Sequence, residues 1–232
     1  MHYFFLDESY RDDSDRREIV IACWGVEQGR LNRRGALLNL FFRPPIDEQI
    51  PSNLKALDAL AIVASAKLEK SLFRTGEIDG TDDIPKMARA DNVWSQCVIF
   101  AIGTLILQHL LDGRCVDTID IHFDPKSLKG EHAEALKNTL RGLVVSEAKR
   151  FEAQFGRDRL KKLKIRRIEP VEKPKEGQVH DKFQIGTWVA DKLCSRGSQM
   201  RARAGGRIKT YDMSDTIRRT VQQWDGKSFY CG

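Results

Sequence analysis

Met1-His2-Tyr3-Phe4-Phe5-Leu6-Asp7-Glu8-Ser9 opens the chain with a run of bulky apolar residues that ends in two adjacent acids. A continuous apolar run rich in aromatics reads as a strand covered on both faces, near the middle of a sheet. Side chains alternate across a strand, so Asp7 shares a face with Tyr3 and Phe5, and Glu8 follows Phe4 and Leu6 on the other. The strand is expected to give way to a turn at these acids, leaving the carboxylates at the rim of the sheet. Acids are also ordinary turn formers, so this stretch alone equally suits the start of a surface loop.

Outward from there, a polar connection from Tyr10 to Glu18 leads into a second apolar run, Ile19 to Val26. Two such runs joined by a polar link predict an antiparallel hairpin. A third run, Ala36 to Phe42, suits a strand or a helix until Pro44-Pro45 stops it. Leu54 to Phe73 shows helical spacing, with Leu54, Leu57, Ala61, Ala64 and Leu68 on one stripe. Arg74 to Ala90 reads as an exposed loop, and its acids lack the ligand order of a calcium loop. Asp91 suits the N-cap of a helix over Asn92 to Leu111.

Val116 to Asp124 then alternates cleanly, with Ile119, Ile121 and Phe123 on one side and Asp120, His122 and Asp124 on the other. Pro125 stops that strand, so again an acid stands where the sheet runs out. Gly130 to Phe155 predicts an amphipathic helix, and Leu163 to Val171 a further strand after a basic segment. The last clear helix runs from Asp181 to Arg196, with Asp181 as its N-cap and Gln184, Trp188 and Asp191 sharing a face. Asp191 stands in an apolar stretch, where an acid is costly unless paired, hydrated or bound to metal.

The chain has 232 residues, 41% hydrophobic and 31% charged, which is enough to bury a core as one elaborated domain. A net charge of +6 favours an anionic partner. Five widely spaced cysteines without a CxxC pair argue against a zinc ribbon or a disulfide frame and for reduced thiols in a cytoplasmic protein. The longest apolar stretch, Val93 to Leu111, carries Gln96, Gln108 and His109, and so reads as a buried helix and not a membrane span. The domain is expected over 1–196, with a helical insertion at about 51–112 and a basic C-terminal extension over 197–232. That extension interleaves arginines with Trp224, Phe229 and Tyr230, a composition that suits nucleic acid or a docked terminus.

The order of elements is thus β-β-β-α-β-α-β-α, an α/β chain with a mixed sheet. If the first and fourth strands are neighbours, Asp7 and Asp124 meet at one rim, and a helix packed on that sheet brings Asp191 within range. Crowded carboxylates repel one another and call for a hard cation, Mg²⁺ or Mn²⁺. Two such ions about 4 Å apart activate water and stabilise the leaving oxygen in phosphodiester cleavage. Basic residues nearby would hold backbone phosphates of DNA or RNA.

This arrangement resembles the ribonuclease-H-like fold, and the opening resembles the domain-of-unknown-function 3800 family. The residues that carry the second resemblance are Asp7-Glu8-Ser9, at an opening of the form Asp-Glu-Ser-Gly, and Val189-Ala190-Asp191, at a helix motif of the form Gln-x-Ala-Asp. Tyr10 stands at the family's Gly and Trp188 at its Gln. The resemblance implies a metal site of Asp7, Asp124 and Asp191, with Asp120 the weaker choice for the middle strand and Glu8 as accessory ligand or base. Glu69 is a further choice for a fourth acid. His122 is expected to be a buried neutral histidine, and His180 a helix-entry residue. Two functions follow: a divalent-metal-dependent nuclease, or a non-catalytic module that binds nucleic acid or protein through its basic surface. A small-molecule phosphohydrolase ranks last, because there is no Gly-rich phosphate loop.

Overall fold

The computed structural model describes residues 1–33, 46–70, 88–114, 116–124, 163–172 and 181–222, together with isolated helical positions between 142 and 153. Among them are six strands and five α-helices. In chain order these are β1 (His2–Asp12), β2 (Arg16–Glu27), α1 (Gln28–Arg33), α2 (Ile46–Ala56), β3 (Leu60–Glu69), α3 (Ala88–Leu111), β4 (Thr118–Phe123), β5 (Lys164–Pro170), α4 (Lys182–Met200), β6 (Ile208–Asp212) and α5 (Ser214–Gln222). The six strands form one sheet in the order β5-β4-β1-β2-β3-β6. The pairs β1–β2 and β2–β3 are antiparallel, while β1–β4, β4–β5 and β3–β6 are parallel. This is the mixed α/β sheet expected, with the first and fourth strands adjacent.

Both faces of the sheet are covered. Phe4, Leu6, Ile62, Ile119, Ile121 and Phe123 turn towards α3 and α5. Tyr3, Phe5, Trp24, Ala61 and Val63 turn towards α4, α1 and α2. Two-sided burial explains the near-continuous apolar run of β1, whose core side chains Phe4 and Phe5 are fully buried on opposite faces. Among the described residues, no helix is long and apolar enough to cross a membrane. Cys23, Cys97 and Cys194 are buried free thiols.

Several expectations need correction. β1 does not end at Asp7 but runs to Asp12, paired with β2 as far as Asp12↔Arg17. The turn is therefore short, and Asp13 closes it by accepting from Arg16 N at 2.8 Å. The third strand is Leu60–Glu69, inside the stretch read as a helix. Leucines and alanines at helical spacing hid a period of two. Ile62, Ala64, Ala66 and Leu68 line one core, and Ala61 and Val63 the other. The helix before it, α2, ends at Ala56, and Asp58 turns the chain with φ of 51°. The stretch 51–112 thus contributes a sheet strand, and is not a purely helical insertion. Asp91 lies inside α3 and not at its cap. The residues after 196 finish α4 and add β6, which joins the sheet beside β3. The runs 36–42 and 74–87 and residue His180 lie outside the described residues, as does nearly all of 130–155.

Candidate carboxylate site

Parallel pairing of β1 with β4 ends at Leu6↔Phe123, so Asp7 and Asp124 are the next residues on neighbouring strands. Alternation puts both on the face that carries Tyr3, Phe5 and His122, which is the face covered by α4. β4 stops at Phe123 while β1 continues, and Asp7 therefore sits at a step in the sheet. It is only 8% exposed.

α4 brings the third acid. Asp181 caps it, accepting from Phe183 N at 2.7 Å and Gln184 N at 2.8 Å, while the Gln184 side chain accepts from Asp181 N in a capping box. Small residues let the helix lie close on the sheet. A Cβ on Gly186 would fall 2.1 Å from the Phe5 ring, and one on Gly197 would fall 2.8 Å from Val63 Cγ2. Trp24 Nε1 donates to Gly186 O at 2.8 Å, tying the helix backbone to β2.

One turn past Asp191, the buried thiol of Cys194 bridges β1 and β2. It donates to Asp7 O at 3.0 Å and accepts from Ala22 N at 3.1 Å, and Asp7 and Ala22 are register partners. Sequence reasoning passed over Cys194. Its spacing of three from Asp191 on an apolar helix face was the available signal.

The electrostatics of Asp7 follow from this packing. Burial is the largest influence and pushes its pKa from 3.8 up to about 7. The Glu8 amide, donating to Asp7 Oδ1 at 2.7 Å, opposes the rise, whereas Asp124, Asp191 and Glu8 all add to it. The leading charges acting on Asp7 are thus all carboxylates.

The other sequence-derived residues fall into place around it. Asp191 is on the solvent side of α4, its side chain 53% exposed and its Oδ2 3.9 Å from Lys192 Nζ. Of the ways such an acid can be accommodated, the structure shows hydration: the apolar neighbours face the sheet and Asp191 faces out. Asp124 is half-buried. Glu8 lies on the opposite face by alternation. Asp120 is buried, and Arg166 holds it through both oxygens, Nε donating at 2.8 Å to Oδ1 and Nη2 bonding Oδ2. Glu69 is 3.5 Å from Arg218 Nη2 at the far strand β3, an exposed ion pair. His122 packs among Tyr3, Phe5 and Phe183, and burial lowers its pKa, so it is neutral. Its Nε2 has no hydrogen-bond partner among the described residues.

The three expected contributors are all carboxylates, and Lys192 stands 3.9 Å from one of them, Asp191. The spacing is open. Among the described residues, no group of three His, Cys, Asp or Glu side chains stands close enough to form a cage.

No protein-family model and no curated protein matches the chain. Solved structures do. Ribonuclease HII from Archaeoglobus fulgidus, in its complex with PCNA, aligns with all of this chain and 92% of its own, at 11% identity and a TM-score of 0.40. Ribonuclease H2 from Pyrococcus horikoshii OT3 aligns with all of this chain and 82% of its own, at 14% identity and a TM-score of 0.39. These are likenesses of shape. At such scores they carry no argument about this chain's chemistry, and the narrower resemblance rests on its two short motifs alone.

Proposed function

We propose that this chain is a divalent-metal-dependent phosphodiester hydrolase acting on nucleic acid. The observation supporting this is the state of Asp7, a buried carboxylate whose leading charged neighbours are Asp124, Asp191 and Glu8. A protein that only needed an acid there for structure would pair it with a base, as it does at Asp120 with Arg166.

On this reading, Asp7 and Asp124 hold Mg²⁺ or Mn²⁺ from adjacent strand ends, and Asp191 contributes from α4. A cation held there would supply Lewis acidity and lower the pKa of a bound water. Asp7, held by the Glu8 amide, is the most buried of the three. Asp191, half-exposed, faces the side from which a substrate arrives. Glu8 acts on the site through its charge and its amide.

The test is calorimetric titration of Mg²⁺ and of Mn²⁺ into the wild type and into Asp7→Asn, followed by cleavage assays on labelled DNA and RNA strands. Metal binding and cleavage that are both lost in folded Asp7→Asn support the proposal. Nucleic-acid binding that needs no metal and survives Asp7→Asn, with no cleavage by the wild type, would replace it with the non-catalytic module.

A further inference from the structure

Beyond Asp191, the solvent side of α4 changes character. From Lys192 to Arg203 the chain carries Lys192, Arg196, Arg201 and Arg203 and not one acid. Arg196, Arg201 and Arg203 are exposed, while Leu193, Cys194, Gly197 and Met200 between them are buried against the sheet. Lys192 and Arg196 are four residues apart on one face of α4, and Arg201 and Arg203 belong to the 3-10 turn Arg201–Arg203 that directly follows the helix. The head of this basic stretch adjoins Trp188, over whose ring Lys192 Nζ sits at 5.7 Å.

A depression runs beside this stretch. A cleft of about 370 Å³ lies between the C-terminal half of α4 and strands β2, β3 and β6, with Arg11 and Arg196 on its walls. A second, of about 530 Å³, continues from it to the open edge of β6, past Arg201. The two adjoin through Ser198, Thr210 and Tyr211, which line both. Arg201 Nη1 donates to Thr210 Oγ1 at 3.1 Å, bracing the guanidinium over the junction. Glu18 and Asp212 are the acids on these walls. Glu18 lies 3.5 Å from Arg11, and Asp212 is engaged by the hydroxyl and amide of Ser214.

We infer that the C-terminal end of α4 and the turn after it, with the depression they share with β6, are the track along which a nucleic-acid strand lies, its phosphates on Arg196, Arg201 and Arg203. The track starts at the carboxylate site: Asp191 and Lys192 are consecutive, so a strand on the arginines leads its backbone to Asp7. Exposed cations beside a polar cleft, with an aromatic ring at the head, suit a sugar–phosphate chain read without base specificity. The inference deepens the reading proposed above by assigning the substrate's path, but strand binding here does not require the metal.

The experiment is fluorescence anisotropy of a labelled oligothymidylate with wild type, the double variant Arg196→Gln/Arg203→Gln, and Arg167→Gln on the opposite edge strand β5 as control. All three sites are exposed, so the fold is retained. The double variant is expected to bind about tenfold more weakly, with a salt dependence shallower by about one to two ions. The Arg167→Gln variant should match the wild type. Unchanged affinity in the double variant, equal loss in Arg167→Gln, or no binding by the wild type at low salt each overturns the track. Asp7→Asn separates the two proposals. It should bind the oligonucleotide as wild type does, while the double variant keeps the Mg²⁺ titration of the wild type.

Discussion

Two aspartates at different ends of the same sheet have opposite fates. Asp58 stands where β3 begins, 2.9 Å from Arg30 Nη1, 2.5 Å from Arg114 Nη2 and 2.7 Å from Arg207 Nη1. Burial pulls its pKa upwards, but Arg114, Arg207 and Arg30 outweigh burial and hold it below the usual carboxylate value. Asp7 meets burial without such help, among other acids, and is pushed up to about 7. This chain evidently can neutralise a carboxylate from within, since it recruits three arginines from α1, the segment before β4 and the segment before β6 to do so. Among the described residues Asp7 has no such arginine, and its burial is met by holding a proton.

The largest contrast is expected in pH dependence. Asp7 is neutral in the folded protein up to about pH 7 but ionises near 3.8 in the unfolded chain, so the folded state holds the proton more tightly. Stability from this group is complete below about pH 4 and is lost as pH rises through about 7. A shift of that size is worth roughly 4 kcal/mol at full ionisation. Thermal melts from pH 5 to 8 should show metal-free wild type losing stability with rising pH, and Asp7→Asn losing much less. Added Mg²⁺ or Mn²⁺ should restore the wild type at pH 8 and leave Asp7→Asn unmoved. Identical pH slopes in the two proteins would remove the basis of the contrast.

At the other end, Asp58→Asn keeps a residue type that tolerates the positive φ but removes the charge that holds three guanidiniums together. The loss should be about 2 kcal/mol, between the values for exposed and for buried ion pairs, since the cluster is only partly buried. Denaturant melts at pH 7 measure it, and a stability unchanged by the substitution would make Asp58 as dispensable as a surface acid. Metal titration by this variant, where it folds, should match the wild type.

How much of this was legible beforehand differs between the two ends. The strand carrying Asp7 was readable as a continuous apolar run and the strand before Asp124 as a clean alternation, both local signals. The Asp181 cap of α4 was readable for the same reason, though not the Gln184 half of its capping box. The Asp58 cluster was not, because its three arginines come from three separate segments, and a positive-φ aspartate has no local mark beyond the turn propensity of Asp. The third strand was lost because its alanines and leucines fit two periods, and only cover on both faces decides between them. Asp191 was legible as an acid in an apolar stretch, but only the structure shows that it faces out from a helix whose other side is pressed to the sheet.

That close packing is open to a direct challenge. Gly186→Ala puts a methyl where the Phe5 ring lies, 2.1 Å from its Cδ1 in the present packing. Either Phe5 or α4 has to move, at about 2 kcal/mol for overpacking of this kind. If α4 moves, Asp191 and the Cys194 bridge move with it, so metal affinity should fall along with stability. A variant that loses stability but keeps full metal affinity would show that Phe5 yields and that the helix position is not what assembles the acids.

The smallest effect is expected from Asp191→Asn, and it is the sharpest test of the site's composition. Asp191 is half-exposed and has Lys192 3.9 Å away, so solvent screens it and its loss should change stability by less than about 0.5 kcal/mol. Its charge nonetheless raises the pKa of Asp7, so removing it should draw the Asp7 titration downwards, read from the carboxyl carbon by NMR. Metal affinity should fall at the same time. The two readouts move in opposite senses for the metal: a more acidic Asp7 is more often ionised at pH 6 and binds better, while a lost ligand binds worse. Weaker metal binding despite a lower Asp7 pKa therefore marks Asp191 as a ligand, and stronger binding marks it as a bystander that only repels.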